Sequence, residues 1–390
     1  MKNATALFLL TLFTLSFVET YSQYEVNPLM PITNDGYTMT VQKFVKIPDD
    51  GNGRPRINSF TFFEDRIFVS TELGGKIYEI VQNGNGYQPV LFLDVKAAIF
   101  QNTARHLDDT DGWHNGLRCV AFHPDFLNNG KLYTSLMEER PSNATGHHYI
   151  SDVNNPIDYD GVLVEWTYNH ATESVNVNSY REVFRVGMPV FDHTIKDIAF
   201  NRYAKPGEED YGLLYITHGD GSELSAIVGG GQNNDALGKV LRINPLQSGS
   251  DTYSIPPSNP FTNDDLWLDE IYSLGHRNPH TICFGKDASD NVHIIVGEAG
   301  RDNMEEVNII KKGGNYGWSQ RDGTYVHLPQ GGLQTGIAAL PENDAINQFI
   351  YPSAQFSKVG QAGLGFASQA IAGGYVYTDP VDGKKIYLCA

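Results

Sequence analysis

The chain has 390 residues, 41% of them apolar and 19% charged, enough apolar content for a sizeable core. Its formal net charge of −18 opposes approach to nucleic acid or to an anionic membrane, so an anionic ligand must find local positive charge or a metal. The 39 glycines, 21 tyrosines and 20 phenylalanines suit strands and turns better than helices.

Met1 to Ser22 reads as a secretory signal: Lys2 starts it, Ala6 to Phe17 is apolar, and Thr20-Tyr21-Ser22 resembles a small-residue cleavage pattern. The apolar run is too short for a spanning helix and nothing later approaches one. The expected mature chain, residues 23–390, is therefore secreted or periplasmic with no membrane span. Three cysteines, Cys119, Cys283 and Cys389, cannot all pair within one chain, and buried free thiols on strands are expected. Asn143-Ala144-Thr145 is a glycosylation sequon that counts only in a eukaryotic source.

From Ile57 onward the sequence repeats loosely. A first apolar strand is predicted at Ile57–Phe63, Gly116–Phe122, Ile195–Phe200, His280–Phe284 and Gly373–Tyr377. A second follows at Arg66–Thr71, Lys131–Leu136, Gly212–Thr217, Val292–Val296 and Lys384–Leu388. A third is predicted at Gly75–Val81, Gly161–Tyr168, Gly238–Asn244 and Glu305–Lys311. The units start about 60 to 90 residues apart, so long loops crown one face of an all-β propeller. A β-sandwich would space its strands evenly, without this grouping by three. The fifth unit reaches only its second strand at Cys389-Ala390, and the chain is read as a fragment that stops before the ring closes.

Chemistry-bearing residues fall between these strands. Trp113-His114-Asn115-Gly116 leads into Ala121-Phe122-His123-Pro124-Asp125-Phe126, where His123 to Asp125 form a strand-ending turn. Asp192-His193 precedes the third unit, and an imidazole there can take a proton near neutral pH. Gly219-Asp220-Gly221 reads as a tight turn capped by Asp220, serving the fold rather than a reaction. Arg277-Asn278 offers a planar guanidinium fork and a carboxamide for an anionic ligand, or else an Arg that holds a loop through carbonyls. Glu298, Asp302, Glu305 and Glu306 crowd into nine residues, which calls for a hard cation such as calcium or describes a solvated acidic loop. The spacing is not that of an EF-hand. Asn308 and Gly313-Gly314-Asn315 read as turn chemistry before Tyr316 and Trp318.

LGHRNP at Leu274–Pro279, then E-x-G-x-D-x-x-E-E-V-N from Glu298, GGNYGW from Gly313, and AFHPDF from Ala121 together resemble the glucose/sorbosone dehydrogenase family. The resemblance implies a soluble six-bladed β-propeller that oxidises sugars with pyrroloquinoline quinone (PQQ) and calcium. It places His193 as the base on the anomeric hydroxyl, with Asp192 orienting the ring or stabilising the imidazolium. Arg277 and Asn278 are the implied cofactor-binding pair, and Arg277 is also implied as catalytic, polarising the quinone oxygen together with calcium. His114, where the family commonly has a Gln or Glu directed at substrate, joins that set. The main-chain oxygens of Gly300 and Arg301 are implied ligands of the cofactor calcium, and Glu305, Glu306 and Tyr316 lie near a second, structural one. Two stretches depart from the pattern: His114 itself, and Thr194-Ile195-Lys196-Asp197, which replaces a small glycine-rich segment. The implied function is oxidation of an aldose at C1 to its lactone, with a sugar substrate and an external electron acceptor as partners. The alternative is a non-catalytic secreted propeller of the hedgehog-interacting type, whose fifth blade Gly373-Gly374-Tyr375-Val376-Tyr377 resembles. A calcium-dependent lactonase propeller is a third reading and needs a differently arranged metal site.

Overall fold

The structure, a computed structural model, describes residues 40, 42–49, 55–110, 115–140, 159–188, 192–222, 234–301, 303–328, 336–357 and 370–389. The expected signal segment, the sequon at Asn143, His114 and Asp302 lie outside the described residues. Four-stranded antiparallel sheets succeed one another along the chain. The first runs in order through β1 (Ile57–Phe63), β2 (Arg66–Thr71), β3 (Lys76–Asn83) and β4 (Gly86–Asp94), and helix α1 (Val95–Thr103) follows it. Asp94 caps that helix by accepting the N–H of Ala97 at 2.9 Å.

The second sheet joins β5 (Leu117–Phe122), β6 (Lys131–Glu139), β7 (Tyr159–Asn169) and β8 (Ser174–Met188), with the single turn α2 (Phe126–Asn129) after β5. The third joins β9 (Ile195–Phe200), β10 (Leu214–His218), β11 (Lys239–Ile243) and β12 (Ile271–Leu274). The fourth starts with β13 (Pro279–Lys286), β14 (Val292–Ala299) and β15 (Met304–Ile310). A small three-stranded insert, β16 (Arg321–Asp322), β17 (Tyr325–Leu328) and β18 (Gly336–Ala338), intervenes before β19 (Ala354–Ser357) returns to pair with β15. The hairpin β20 (Tyr375–Thr378) and β21 (Lys385–Leu388) comes last.

First strands of successive sheets lie side by side, β1 by β5, β5 by β9, β9 by β13 and β13 by β20. The Tyr375 hydroxyl donates to the Phe60 carbonyl, and its ring meets Phe62 edge-on at 5.4 Å, which brings the last hairpin against the first strand. This is the sheet-after-sheet arrangement of a propeller. Its cores sit between sheets. Phe68, Leu93, Phe122 and Trp166 fill the first interface, Tyr133, Phe184, Ile195 and Leu241 the second, and Tyr215, Tyr272, Phe284 and Val296 the third. β5, β10 and β11 are buried along their whole length on both faces, so their apolar residues do not follow a strict in-out alternation. Trp166 is fully buried and donates its indole N–H to Thr134 Oγ1 at 2.9 Å, so no polar atom of its ring is stranded.

The predicted first, second and third strands match within a few residues. The fourth strands β4, β8, β12 and β19 are additions. β4 is largely exposed and β12 and β19 are four residues long, so their patterns are weak, and β19 is recruited from beyond an insert, which no local periodicity reports. Helix α1 was likewise not foreseen. Cys119 and Cys283 are buried free thiols as expected, whereas Cys389 is exposed beyond β21. Asn308 is not in a turn. It lies inside β15, fully buried. Among the described residues, no helix is long and apolar enough to cross a membrane.

Candidate active site

His193 stands two residues before β9, in the left-handed backbone region at φ 55°, an uncommon conformation for a residue with a side chain. The turn after β10 makes room for it. A Cβ on Gly219 would lie 2.6 to 2.8 Å from the His193 carbonyl, Cα and Cβ, so only glycine allows this approach. The next residue, Asp220, accepts from the N–H of Ser222 at 2.9 Å, the expected turn cap. Its carboxylate does more than that. Oδ1 is 2.6 Å from His193 Nδ1, and Oδ2 takes the indole N–H of Trp318 at 2.8 Å.

A carboxylate that collects N–H donors on both oxygens fixes the imidazole tautomer. Nδ1 carries the proton toward Asp220, and Nε2 keeps a lone pair for a substrate proton. Burial lowers the His193 pKa, the Arg277 charge lowers it further, and Asp220 and Asp192 oppose both. The net direction is down, which suits a base that is neutral at neutral pH. Asp192, expected to orient this ring or to stabilise its imidazolium, accepts the backbone N–H of His193 at 2.6 Å and the Lys196 ammonium at 2.9 Å through Oδ1, and its Oδ2 lies 3.5 Å from Nε2.

The turn between β12 and β13 delivers the second half of the site. The backbone N–H of Asp220 donates to the Arg277 carbonyl at 2.8 Å, tying the two turns together. The Arg277 guanidinium lies 5.7 Å from the Trp318 ring centre and donates through one nitrogen to the carbonyls of Ala299, at 2.8 Å, and Gly300. Its backbone N–H is accepted by Glu298. Arg277 Nε and Asn278 Oδ1 are buried without a hydrogen-bond partner among the described residues. Donors and acceptors left open beside a buried base and an aromatic ring fit a flat, polar, anionic ligand.

The acidic cluster is built on strands, not on a loop. Pairing of β14 with β15 sets Glu298 opposite Glu306 and Ala299 opposite Glu305. Neighbouring residues of a strand point to opposite faces, so the two glutamates of β15 part company. Glu306 turns toward Glu298, shares the Asn308 amide with it at 3.0 and 3.2 Å, and accepts the Gly323 N–H at 2.6 Å. Glu305 instead accepts the Ile371 N–H at 2.6 Å.

Burial raises the Glu306 pKa well above the usual carboxylate range, and the charges of Glu298 and Asp322 add to the rise. A hard cation would reverse that balance, and the carboxylates supply the oxygen donors it prefers. Among the described residues, no three acidic, His or Cys side chains surround one point as a metal site. The Tyr316 hydroxyl is committed to backbone, donating to Ile309 O at 2.7 Å and accepting Lys311 N–H at 2.9 Å, and its ring stacks on His276 at 4.7 Å. The Gly300 carbonyl is occupied by Arg277, and Arg301 lies in the bend between β14 and β15.

The structure thus gathers His193, Asp192, Arg277 and Asn278 in one place and Glu306 in an adjoining one. The resemblance had not assigned Asp220, Trp318, Glu298 or Asp322, although Glu298 was already visible in the acidic run. Only the indole N–H of the GGNYGW segment signalled a buried donor in need of an acceptor.

The profile of the Glucose / Sorbosone dehydrogenase family matches residues 58–331. The chain is 30% identical over 312 residues to the HIPL1 protein of Arabidopsis thaliana, covering 70% of this chain and 42% of that one. It is 27% identical over 313 residues to quinoprotein glucose dehydrogenase B of Acinetobacter calcoaceticus, covering 73% and 58% respectively. It therefore spans about half the length of these curated relatives. By fold it resembles the soluble aldose sugar dehydrogenase of Escherichia coli in its apo form, with a TM-score of 0.55 at 19% identity over 86% of this chain and 80% of the other. It also resembles the PQQ-bound aldose sugar dehydrogenase of Streptomyces coelicolor, with a TM-score of 0.50 at 20% identity over 78% and 69%. The sheet order, the site segments and the extent of the match agree: the chain belongs to the glucose/sorbosone dehydrogenase family.

Proposed function

We propose that the chain is an exported, six-bladed dehydrogenase that oxidises an aldose at C1 to its lactone with PQQ and calcium. The observation that carries this reading is the buried imidazole of His193, held on Nδ1 by Asp220 and flanked by Arg277. Oxidation at C1 requires removal of the hydroxyl proton as hydride leaves the same carbon. His193 Nε2 takes that proton, and Asp220 stabilises the imidazolium that forms. When bound, PQQ would supply the two-electron acceptor for the hydride, with an external acceptor as the final electron sink.

Arg277 and Asn278 bind the anionic cofactor through charge-assisted and amide hydrogen bonds. Trp318 excludes water from one side and shares its N–H with Asp220. His114, outside the described residues, is the proposed substrate-side contact. Calcium is assigned to the Gly300 and Arg301 carbonyls beside the cofactor, which requires Arg277 to release Gly300. A structural calcium is assigned to the Glu306 cluster, with Tyr316 nearby through its stacking on His276, whereas Glu305 faces Ile371 on the other side of the strand. The relatives named as quinoprotein and aldose sugar dehydrogenases support this reading.

The test is reconstitution of the full-length protein with PQQ and calcium, followed by dye reduction with a panel of aldoses. Turnover is expected, and His193→Ala is expected to lower it by about 10²–10⁴, the usual contribution of a general base. Absence of quinone binding in an absorbance titration, with the fold intact, overturns the enzyme reading. A partner-binding propeller then takes its place. The similarity to a HIPL1 protein and the departures at His114 and Thr194 to Asp197 favour that second reading.

A further inference from the structure

Trp318 brings its indole N–H to Asp220 from the turn Gly317–Arg321, and the side chain that closes this turn is Arg321. Gly317 sits at φ 89°, and its carbonyl accepts the N–H groups of Gln320 and Arg321, each at 2.8 Å. A Cβ on Gly317 would lie 2.9 Å from Arg321 Cβ and Cγ, so the stem of Arg321 packs directly across the residue before Trp318. Its guanidinium donates to the Gln320 carbonyl at 2.8 Å, inside the same turn.

Arg321 is buried, and a buried guanidinium is costly unless it is paired. The pair comes from outside the turn. Nε donates to Asp344 Oδ1 at 3.0 Å, Nη2 donates to the same oxygen, and the Tyr351 hydroxyl donates to Oδ2. The guanidinium also lies 5.1 Å from the Phe349 ring centre. Asp344 opens the single 3-10 turn Asp344–Asn347, and all three partners belong to the segment that leads back to β19. The clamp is thus anchored on the fourth sheet. The indole that it steadies stands between the Arg277 guanidinium, at 5.7 Å, and the His327 ring, at 4.7 Å.

We infer that Arg321 is a positioning residue for the proposed base: locked to Asp344, it fixes the turn that aims the Trp318 indole at Asp220, and Asp220 passes the effect to His193 Nδ1. Arg321 itself touches neither the imidazole nor Asp220. The inference rests on the reading of His193 as a base, but the chain of contacts belongs to the protein without ligand. The indole N–H offsets part of the Asp220 charge. Without it, the carboxylate draws the Nδ1 proton more strongly, and the imidazolium is favoured. The other charged groups facing His193, Asp192 and Arg277, are left unaltered.

The experiment is an NMR titration of His193 in the full-length protein, without cofactor or sugar, in wild type, Arg321→Gln, Trp318→Phe and the double variant. Arg321→Gln is expected to raise the proton affinity of His193 about threefold to tenfold, part of what one hydrogen bond to a charged group is worth. Trp318→Phe removes the indole N–H and keeps an aromatic ring. It should give at least the same rise, and the double variant no more than Trp318→Phe alone. The Trp318 indole proton should exchange with solvent faster in Arg321→Gln, and Arg321→Lys should restore part of the wild-type value. No change in folded Arg321→Gln, or a rise that adds in full to that of Trp318→Phe, overturns the inference. Should Arg321→Gln fail to fold, Asp344→Asn loosens the clamp from its other end; a smaller rise supports the inference and no rise refutes it. A shifted His193 in a protein that oxidises no sugar would leave the positioning chain standing and remove only the enzyme reading.

Discussion

Asp220 and His193 stand 27 residues apart in the chain, yet Asp220 Oδ1 lies 2.6 Å from His193 Nδ1. The other oxygen of the same carboxylate holds Trp318, 98 residues further on. One aspartate therefore joins two turns of the third sheet to the Trp318 segment and sets the tautomer of the proposed base. Its position at the tip of a glycine turn is what lets it reach both partners.

Asp220→Asn replaces an acceptor with an amide that can present a donor to Nδ1, and the imidazole then loses its fixed tautomer. Turnover in the dye-reduction assay is expected to fall by about 10²–10⁴. Asp192→Asn should cost less, because Asp192 touches the ring only at 3.5 Å. An equal loss in both variants would reassign the orienting role.

Gly219→Ala tests the same geometry without changing charge. The added methyl would sit 2.6 Å from the His193 carbonyl, so either the turn or His193 must move. Activity should drop by at least about tenfold, since small misplacements of reacting groups are costly. Circular dichroism should still report a folded β protein. Unchanged turnover would mean that His193 is not held by this contact.

Calcium should stabilise the fold. Binding to the native state alone adds about 2.7 kcal/mol at 100-fold excess over Kd, which a thermal scan with calcium against chelator resolves. In Glu306→Gln the difference should shrink, because a carboxylate facing Glu298 and Asp322 is gone. Coincident midpoints in the wild type would show that the acidic cluster is structural only.

Acid should weaken the second sheet through Glu182. Burial raises its pKa, but Arg185 and Arg105, bonded to it at 2.7 Å each, outweigh burial and hold it down at about 2. A carboxylate depressed on folding contributes stability above its unfolded pKa, and that contribution is lost as pH falls through the folded value. Glu182→Gln should therefore be less stable than wild type at pH 7, by at most about 3 kcal/mol. The gap should close between about pH 4 and pH 2, as followed by urea unfolding across pH. A gap independent of pH would assign the loss to packing.

Much of the fold could be read from the chain alone. Apolar runs such as Ile195–Phe200 and Arg66–Thr71 announce strands buried on both faces, and their recurrence in threes announces repeated sheets. The segments AFHPDF, LGHRNP and GGNYGW carried the family, and with it His193, Arg277 and Asn278. These are local signals: turn residues at set offsets and apolar periodicity are written into neighbouring positions.

Partnership across sheets was decided only by the folded chain. Asp220 looked like a turn cap because its first duty is one, and nothing beside it in sequence reveals His193 or Trp318. Glu305 and Glu306 looked equivalent until strand pairing sent one toward Glu298 and the other toward Ile371. Asn308, read as a turn residue, is a strand residue whose amide bridges two carboxylates. The Asp220–Trp318 contact arises because separate sheets bring their loops to a common place, and a contact spanning 98 residues leaves no periodicity for the sequence to display.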